Sequence, residues 1–343
     1  TAQPTSAGSV SAMRAVMQDR YGSADVLRVV TIPRPDPADD EVLVRVHAAG
    51  LARGTWHLMT GKPYAARLAF GLRRPRNPVP GLDVAGTVVT VGAGVTRFAE
   101  GDAVFGFGTG SLAEYAVARE DKLALKPAQL TFEQAAVVPV SAATALQALT
   151  DVGNVQSGQS VLVIGASGAV GSYAVQLAQA LGATVTGVAS TSKLDLVRSL
   201  RADHVIDYTR QDWADGTTRY DLILDIAGNP KLARLRRALT PTGTAVLVGG
   251  EEGGNLTGGM NRQLSALVVS IFVRQRLTMV LAKQRASDLG RLTDLLESGT
   301  VTPRIDRTYP LEETAAAMRH LVDDHPLGQI AITMVRETGT VLP

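Results

Sequence analysis

The chain has 343 residues, of which 45% are hydrophobic and 19% charged; 34 Lys and Arg against 32 Asp and Glu give a formal net charge of +2. That suits about two globular domains and excludes a disordered, collagen-like or heptad-dominated chain. The cations are scattered rather than gathered into the stripe that nucleic acid requires, and the absence of cysteine removes disulfides, thiolate metal sites and cysteine nucleophiles.

Residues 1–12 (TAQPTSAGSVSA) are small and polar, without the basic and apolar regions of a signal peptide, and are expected to form a flexible leader. No uncharged apolar run of about 18 residues occurs, so no membrane insertion is expected and a soluble cytoplasmic protein is. From Met13 to about Val140, short β-runs alternate with Gly and Pro: 42–46 (VLVRV), 84–91 (VAGTVVTV), 103–107 and 113–117. This texture predicts a compact, barrel-like β domain over 13–140. The period then changes. Short apolar runs at 160–164, 184–188, 221–225 and 244–248 alternate with helix-period segments at 171–181, 193–200 and 232–239. Such alternation predicts βαβ units and a doubly wound parallel sheet over 141–285. An amphipathic helix at 287–297, a Pro-punctuated strand, a helix near 312–322 and a strand at 329–335 follow, a pattern compatible with a return of 286–343 to the first domain.

The strongest local signal is SVLVIGASGAVG at 160–171, running into an apolar-faced helix. Gly165 permits a tight turn off the strand, Gly168 lacks the Cβ that would block a pyrophosphate, and Gly171 lets the helix close on the sheet. Free N–H groups and the helix dipole then hold phosphates. A glycine-rich corner without a ligand is the competing reading, but the strand before, the helix after and the end cap at Gly182 supply the context a dinucleotide site needs. A site for NAD places an Asp or Glu about 20 residues further on. Here the next strand ends in VASTSK (188–193), and the next acid is Asp195. Ser190, Thr191 and Lys193 suit a 2′-phosphate, which a carboxylate would repel, so NADPH is expected over NADH. The plainer alternative is that Ser190 or Thr191 caps the next helix and Lys193 is solvated.

The segments PGLDVAG (80–86), GDAV (101–104), AEY (113–115), the 165–171 turn and SLRADHVIDY (199–208) carry a family resemblance. From about Met13 to Val335 the chain resembles the medium-chain dehydrogenase/reductase superfamily, in its zinc-free quinone oxidoreductase-like branch. The resemblance implies an α/β fold: a Rossmann nucleotide domain plus a GroES-like β-barrel catalytic domain. It also implies that Ser167, Gly168, Ala169 and Val170 line the pyrophosphate turn with Gly165, and that Ser190, Thr191 and Lys193 meet the 2′-phosphate. Tyr208 matches a residue against the adenine end, its plain alternative being a half-buried strand residue. Thr144 matches a threonine near the nicotinamide amide, Gly249 and Gly250 end a strand on that side, and a homodimer is implied. Zinc-dependent members use an early Cys, a Gly-His-Glu motif and a four-cysteine lobe. Here 52–55 has no Cys, Leu82-Asp83 replaces His-Glu, and 106–114 leaves no room for the lobe. Remaining donors would be His47, His57, His204, His320 and His325 with carboxylates, so no metal is expected. Ala52 and Thr55 stand where many zinc-free relatives have Asn and Asp.

Zinc polarises a carbonyl as a Lewis acid; without it, hydride transfer suits acceptors activated by conjugation. The expected activity is therefore NADPH-dependent reduction of a quinone or α,β-unsaturated carbonyl. An alcohol/aldehyde reductase and a non-catalytic NADPH-binding redox sensor are the alternatives. Tyr64 resembles a tyrosine that some enoyl reductases place over the substrate and is the candidate proton donor; a surface-loop tyrosine is the alternative. His57 is a weaker candidate acid. Asp83 is expected to bond backbone amides in a turn. The loop 64–80, with Arg67, Arg73, Arg74 and Arg76, reads as solvated or as a substrate mouth.

Overall fold

A computed structural model describes residues 11–249, 260–323 and 326–334. Residues 1–10 of the expected leader lie outside the described residues; the first described element, β1 (Ala12–Met17), includes the leader's last residue and pairs antiparallel with β2 (Arg28–Pro33), Ala12 opposite Pro33. β3 (Glu41–Leu51) is the spine of the first sheet. Helices α1 (Arg53–Thr60) and α2 (Arg67–Phe70) separate it from β4 (Asp83–Val91), which β5 (Ala103–Phe107), β6 (Tyr115–Arg119) and β7 (Leu123–Leu125) follow. The strand predicted at 113–117 is thus displaced: Ala113 makes only an isolated bridge to Ala15.

Next come α3 (Phe132–Ala136), started by a Thr131/Gln134 capping box, and α4 (Pro139–Gln147), whose first residue is a proline that lacks the N–H no helix start needs. The alternating half contains β8 (Ser160–Ile164), α5 (Ala169–Ala180), β9 (Thr184–Ala189), α6 (Leu194–Ser199) and β10 (His204–Asp207). It continues with β11 (Tyr220–Asp225), α7 (Leu232–Ala238), β12 (Leu239–Leu247), α8 (Met260–Ile271) and β13 (Arg276–Met279). Last are α9 (Ala286–Glu297), β14 (Ile305–Pro310), α10 (Thr314–Asp323) and β15 (Gln329–Thr333).

Three strands share β3. Glu41 to Arg45 pair with β6 and Ala48 to Leu51 with β15, while β4 lines the opposite edge with register shifts at Leu43/Val44 and Val46/Ala48. Those irregularities bend the strand, and the order β14-β15-β3-β4-β5-β7 curls around a core of Val42, Val44, Val84, Leu123, Ile330 and Ile332. This is the GroES-like half.

The second sheet is parallel throughout, ordered β10-β9-β8-β11-β12-β13. In β8, Val161 and Val163 join one core with Tyr173 and Leu177 of α5 and Leu289 of α9, while Leu162 and Ile164 join another with Leu235 of α7. Burial on both faces explains why the strand reads as a continuous apolar run rather than an alternation. The strand order reverses between β8 and β11, and that switch opens a crevice at their carboxyl ends, as in Rossmann folds. No helix among the described residues is long and apolar enough to cross a membrane.

Candidate functional site

At the end of β8 the backbone turns through Gly165 at φ +85°, a left-handed conformation costly for any side chain. Gly171 is required for a different reason: a Cβ there would stand 2.0 Å from the Gly165 carbonyl oxygen, so helix and turn touch backbone to backbone. Gly168 is the contrast. A Cβ on it would meet only the Gly165 oxygen at 3.6 Å, so the space before it is open. Gly168 starts α5 without any side-chain cap, leaving the first-turn amides of Ala169 and Val170 for a ligand. Ser167 lies buried beside them. An open, uncapped cradle at the switch point fits the pyrophosphate of a dinucleotide.

The residues expected on the adenosine side lie at the carboxyl ends of the two neighbouring strands, β9 and β10. Ser190 precedes a single 3-10 turn, Thr191–Lys193, and its side chain makes no capping bond. An acid does reach this place, from β10: Asp207 accepts from the Thr191 hydroxyl and, through its other oxygen, from the Thr209 amide at 3.0 Å and hydroxyl at 2.7 Å. Those bonds, the Thr191 one foremost, hold the Asp207 carboxyl below its usual range. The Thr191 proton is committed to Asp207, so donors for an anion fall to Ser190 and Lys193. Burial lowers the Lys193 ammonium, and the charge of Asp306, itself 2.6 Å from His320, counteracts this. Tyr208 is 57% exposed at the same corner, and so is not a half-buried strand residue.

Thr144 of α4, expected near the nicotinamide, donates its hydroxyl to the Val140 carbonyl at 2.7 Å. Gly249 follows β12 so closely against β11 that a Cβ would stand 2.1 Å from the Ile226 carbonyl oxygen. Gly250 lies outside the described residues. Tyr64 opens a short turn between β3 and β4, 41% exposed, with the Arg67 guanidinium 4.5 Å from its ring centroid. His57, beside Trp56, donates from Nδ1 to the Lys62 carbonyl (2.7 Å), and burial lowers its pKa.

Three contacts escaped sequence reasoning because they join distant segments. Gln329, at the start of β15, donates to the Ala169 carbonyl and the Ser172 hydroxyl, both at 2.9 Å, tying the first turn of α5 to the other sheet. Gln176 of the same helix donates to the Thr302 carbonyl (3.1 Å) and accepts from the Thr302 amide (2.9 Å). At the end of β11, the buried Asp225 carboxylate is paired with Arg262 of α8, so its charge is compensated beside the crevice. Asp83 bonds a backbone amide as expected, though across 57 residues and not in a turn: it accepts from Val140 at the start of α4 at 2.6 Å.

Residues 38–128 match the family described as alcohol dehydrogenase GroES-like domain, and residues 200–332 that described as zinc-binding dehydrogenase. Zinc itself does not fit this chain's donors. There is no cysteine, and among the described residues no three His, Asp or Glu side chains stand close enough to hold an ion. Asp83, where a ligand motif would fall, spends its carboxyl on Val140.

A 2-methylene-furan-3-one reductase of Solanum lycopersicum is 34% identical over 96% of this chain and 81% of its own length. A chloroplastic quinone-oxidoreductase homolog of Spinacia oleracea is 32% identical over 93% and 98%. A chloroplastic NADPH-dependent alkenal/one oxidoreductase of Arabidopsis thaliana is 33% identical over 93% and 79%. Among solved structures, the quinone oxidoreductase from Coxiella burnetii superposes with a TM-score of 0.81 at 27% identity, covering 95% of this chain and 100% of that one. Two of these relatives are named chloroplastic, which overturns the expectation of a cytoplasmic protein: the features that suggested it do not separate the cytosol from an organelle. Matched end to end in both halves, the chain belongs to the medium-chain dehydrogenase/reductase superfamily, in its quinone oxidoreductase-like branch.

Proposed function

We propose that this protein is an NADPH-dependent, zinc-independent reductase of quinones or α,β-unsaturated carbonyls. The observation that carries the reading is the open cradle at Gly168, uncapped and set at the switch point of the parallel sheet. The names of the tomato and Arabidopsis relatives support the acceptor class and the nucleotide. In this reading 13–140 and 286–343 form the substrate-facing half and 141–285 the nucleotide half.

The bound nucleotide supplies the hydride. The chain's residues bind, orient and protonate. Ala169 and Val170 offer amides to the pyrophosphate over Gly165, Ser167 and Gly168, and Ser190 and Lys193 take the 2′-phosphate while Asp207 fixes Thr191. Tyr208 lies against the adenine, and Thr144, Gly249 and Gly250 border the nicotinamide. A conjugated acceptor carries its own electron sink, so no Lewis acid is needed on its carbonyl. Tyr64 or solvent delivers the proton to the reduced product. The exposed face of α8, with Leu264, Val268, Ile271 and Phe272 beside the open edge strand β13, supports a homodimer.

The test is oxidation of NADPH followed in the presence of a quinone, an enone and a simple aldehyde. Turnover of the first two with little of the third is expected. Turnover of aldehydes alone would make the protein an alcohol/aldehyde reductase, and tight NADPH binding without turnover would make it a nucleotide-binding sensor.

A further inference from the structure

The connection between β3 and β4 holds a feature that the reaction does not use. From residue 53 to residue 80 the cations are Arg53, Lys62, Arg67, Arg73, Arg74 and Arg76, and no Asp or Glu occurs. Within it, residues 67–76 form a closed lobe. The Gly71 amide donates to the Arg67 carbonyl and the Arg76 amide returns to the Phe70 carbonyl, each at 2.8 Å, so Leu72, Arg73 and Arg74 make the tip.

The lobe is fixed at its base. The Tyr21 hydroxyl donates to the Gly71 carbonyl at 2.6 Å, Arg67 Nε donates to the Gly61 carbonyl at 2.9 Å, and the Arg67 guanidinium stands 4.5 Å from the ring centroids of both Tyr21 and Tyr64. Despite that anchoring, Leu68 is 72% and Leu72 67% exposed, with Phe70 beside them. Arg73, Arg74 and Arg76 are exposed and form no ion pair with described residues. Asp19 and Asp25, which flank Tyr21 in sequence, are spent on Arg28 and Arg319.

We propose that the 67–76 lobe docks the protein on a membrane surface of anionic phospholipid. Leucines held in water on a fixed support lose free energy unless something apolar covers them, and the surrounding guanidiniums call for negative charge in the same cover. Anionic headgroups above an acyl layer supply both. A small soluble anion would leave Leu68 and Leu72 wet, and a second copy meeting this lobe about a two-fold axis would bring like charges together. The docking does not depend on the reaction assigned above.

The full chain is mixed with vesicles of phosphatidylcholine, with or without phosphatidylglycerol, and sedimented. It should pellet only with phosphatidylglycerol and be released by salt. The triple variant R73A/R74A/R76A should lower the partition on the order of a hundredfold, at roughly fivefold per arginine. The double variant L68S/L72S should lower it about tenfold per leucine. Circular dichroism and thermal unfolding matching the parent show that the variants are folded. Failure to pellet with phosphatidylglycerol at low salt overturns the proposal, and so does pelleting undiminished in both variants. A change in the free protein's sedimentation coefficient caused by L68S/L72S would assign the leucines to a second copy and overturn it as well.

Discussion

Replacing Asp83 by Asn should flatten the pH dependence of stability across neutral pH. The carboxyl is 2% exposed, and burial pushes it up to about 8 even though the Val140 amide bond works against the shift. The unfolded chain titrates the same group near 3.8. Between those values the folded protein holds a proton that the unfolded chain has released, so stability falls as pH rises, by ~1.4 kcal/mol per pH unit. From about pH 6 to about pH 8 the loss comes to roughly 2 kcal/mol, because the slope fades as the folded group begins to ionise. With an unfolding entropy of ~2.1 cal/mol/K per residue, a chain of 343 residues should lose about 3 °C in Tm over that range. Asparagine has the same shape, can still accept from Val140 and cannot ionise. Calorimetric scans of both proteins at matched pH values should show the parent falling and Asp83→Asn level. Parallel falls would refute the reasoning, because another group would then be titrating. A parent that gains stability towards pH 8 would refute it too, since Asp83 would then be ionised throughout.

Gly168→Ala and Gly171→Ala should separate binding from folding. The first adds a methyl where only one protein atom stands within 4 Å, so Tm should hold while NADPH affinity drops about a hundredfold; undiminished binding would sink the cradle. The second drives a Cβ into the Gly165 carbonyl, and urea titration should find a loss of ~2–4 kcal/mol. Lys193→Ala should raise KM for NADPH about tenfold and leave NADH unchanged, and an equal effect on both nucleotides would remove the 2′-phosphate role. Tyr64→Phe should lower kcat on enones about a hundredfold with NADPH binding intact, whereas an unchanged kcat on every accepted substrate would hand protonation to solvent.

What the sequence made legible is what neighbouring residues encode. The turn at Gly165, the cradle at Gly168 and the close contact at Gly171 are local backbone geometry, so glycine spacing between an apolar run and a helix was enough to find them. The central parallel strands stood out because burial on both faces makes them continuously apolar. Edge strands did not: β13 is four residues that begin with Arg276, and its identity comes from pairing with β12. The second half of β3 was missed because Ala48, Ala49 and Gly50 look like no strand; Ala48 and Gly50 are small because α3 presses on their face, and a Cβ at Gly50 would stand 2.5 Å from the Ala136 carbonyl oxygen. The same blindness to distance hid Asp207 from Thr191, which the pairing of β9 with β10 brings together.

The place of β15 between β14 and β3 has a consequence for biosynthesis. All six strands of the parallel sheet lie in one continuous stretch, from Ser160 to Met279, and can be finished while the ribosome is still working. The first sheet waits: the edge of β3 from Ala48 to Leu51 has no partner until residues 330–333 emerge. A nascent chain therefore completes its second half first and carries an open, aggregation-prone strand edge through that interval. The strand that closes this edge also delivers Gln329 to the first turn of α5, so the nucleotide cradle is braced only once translation has reached it.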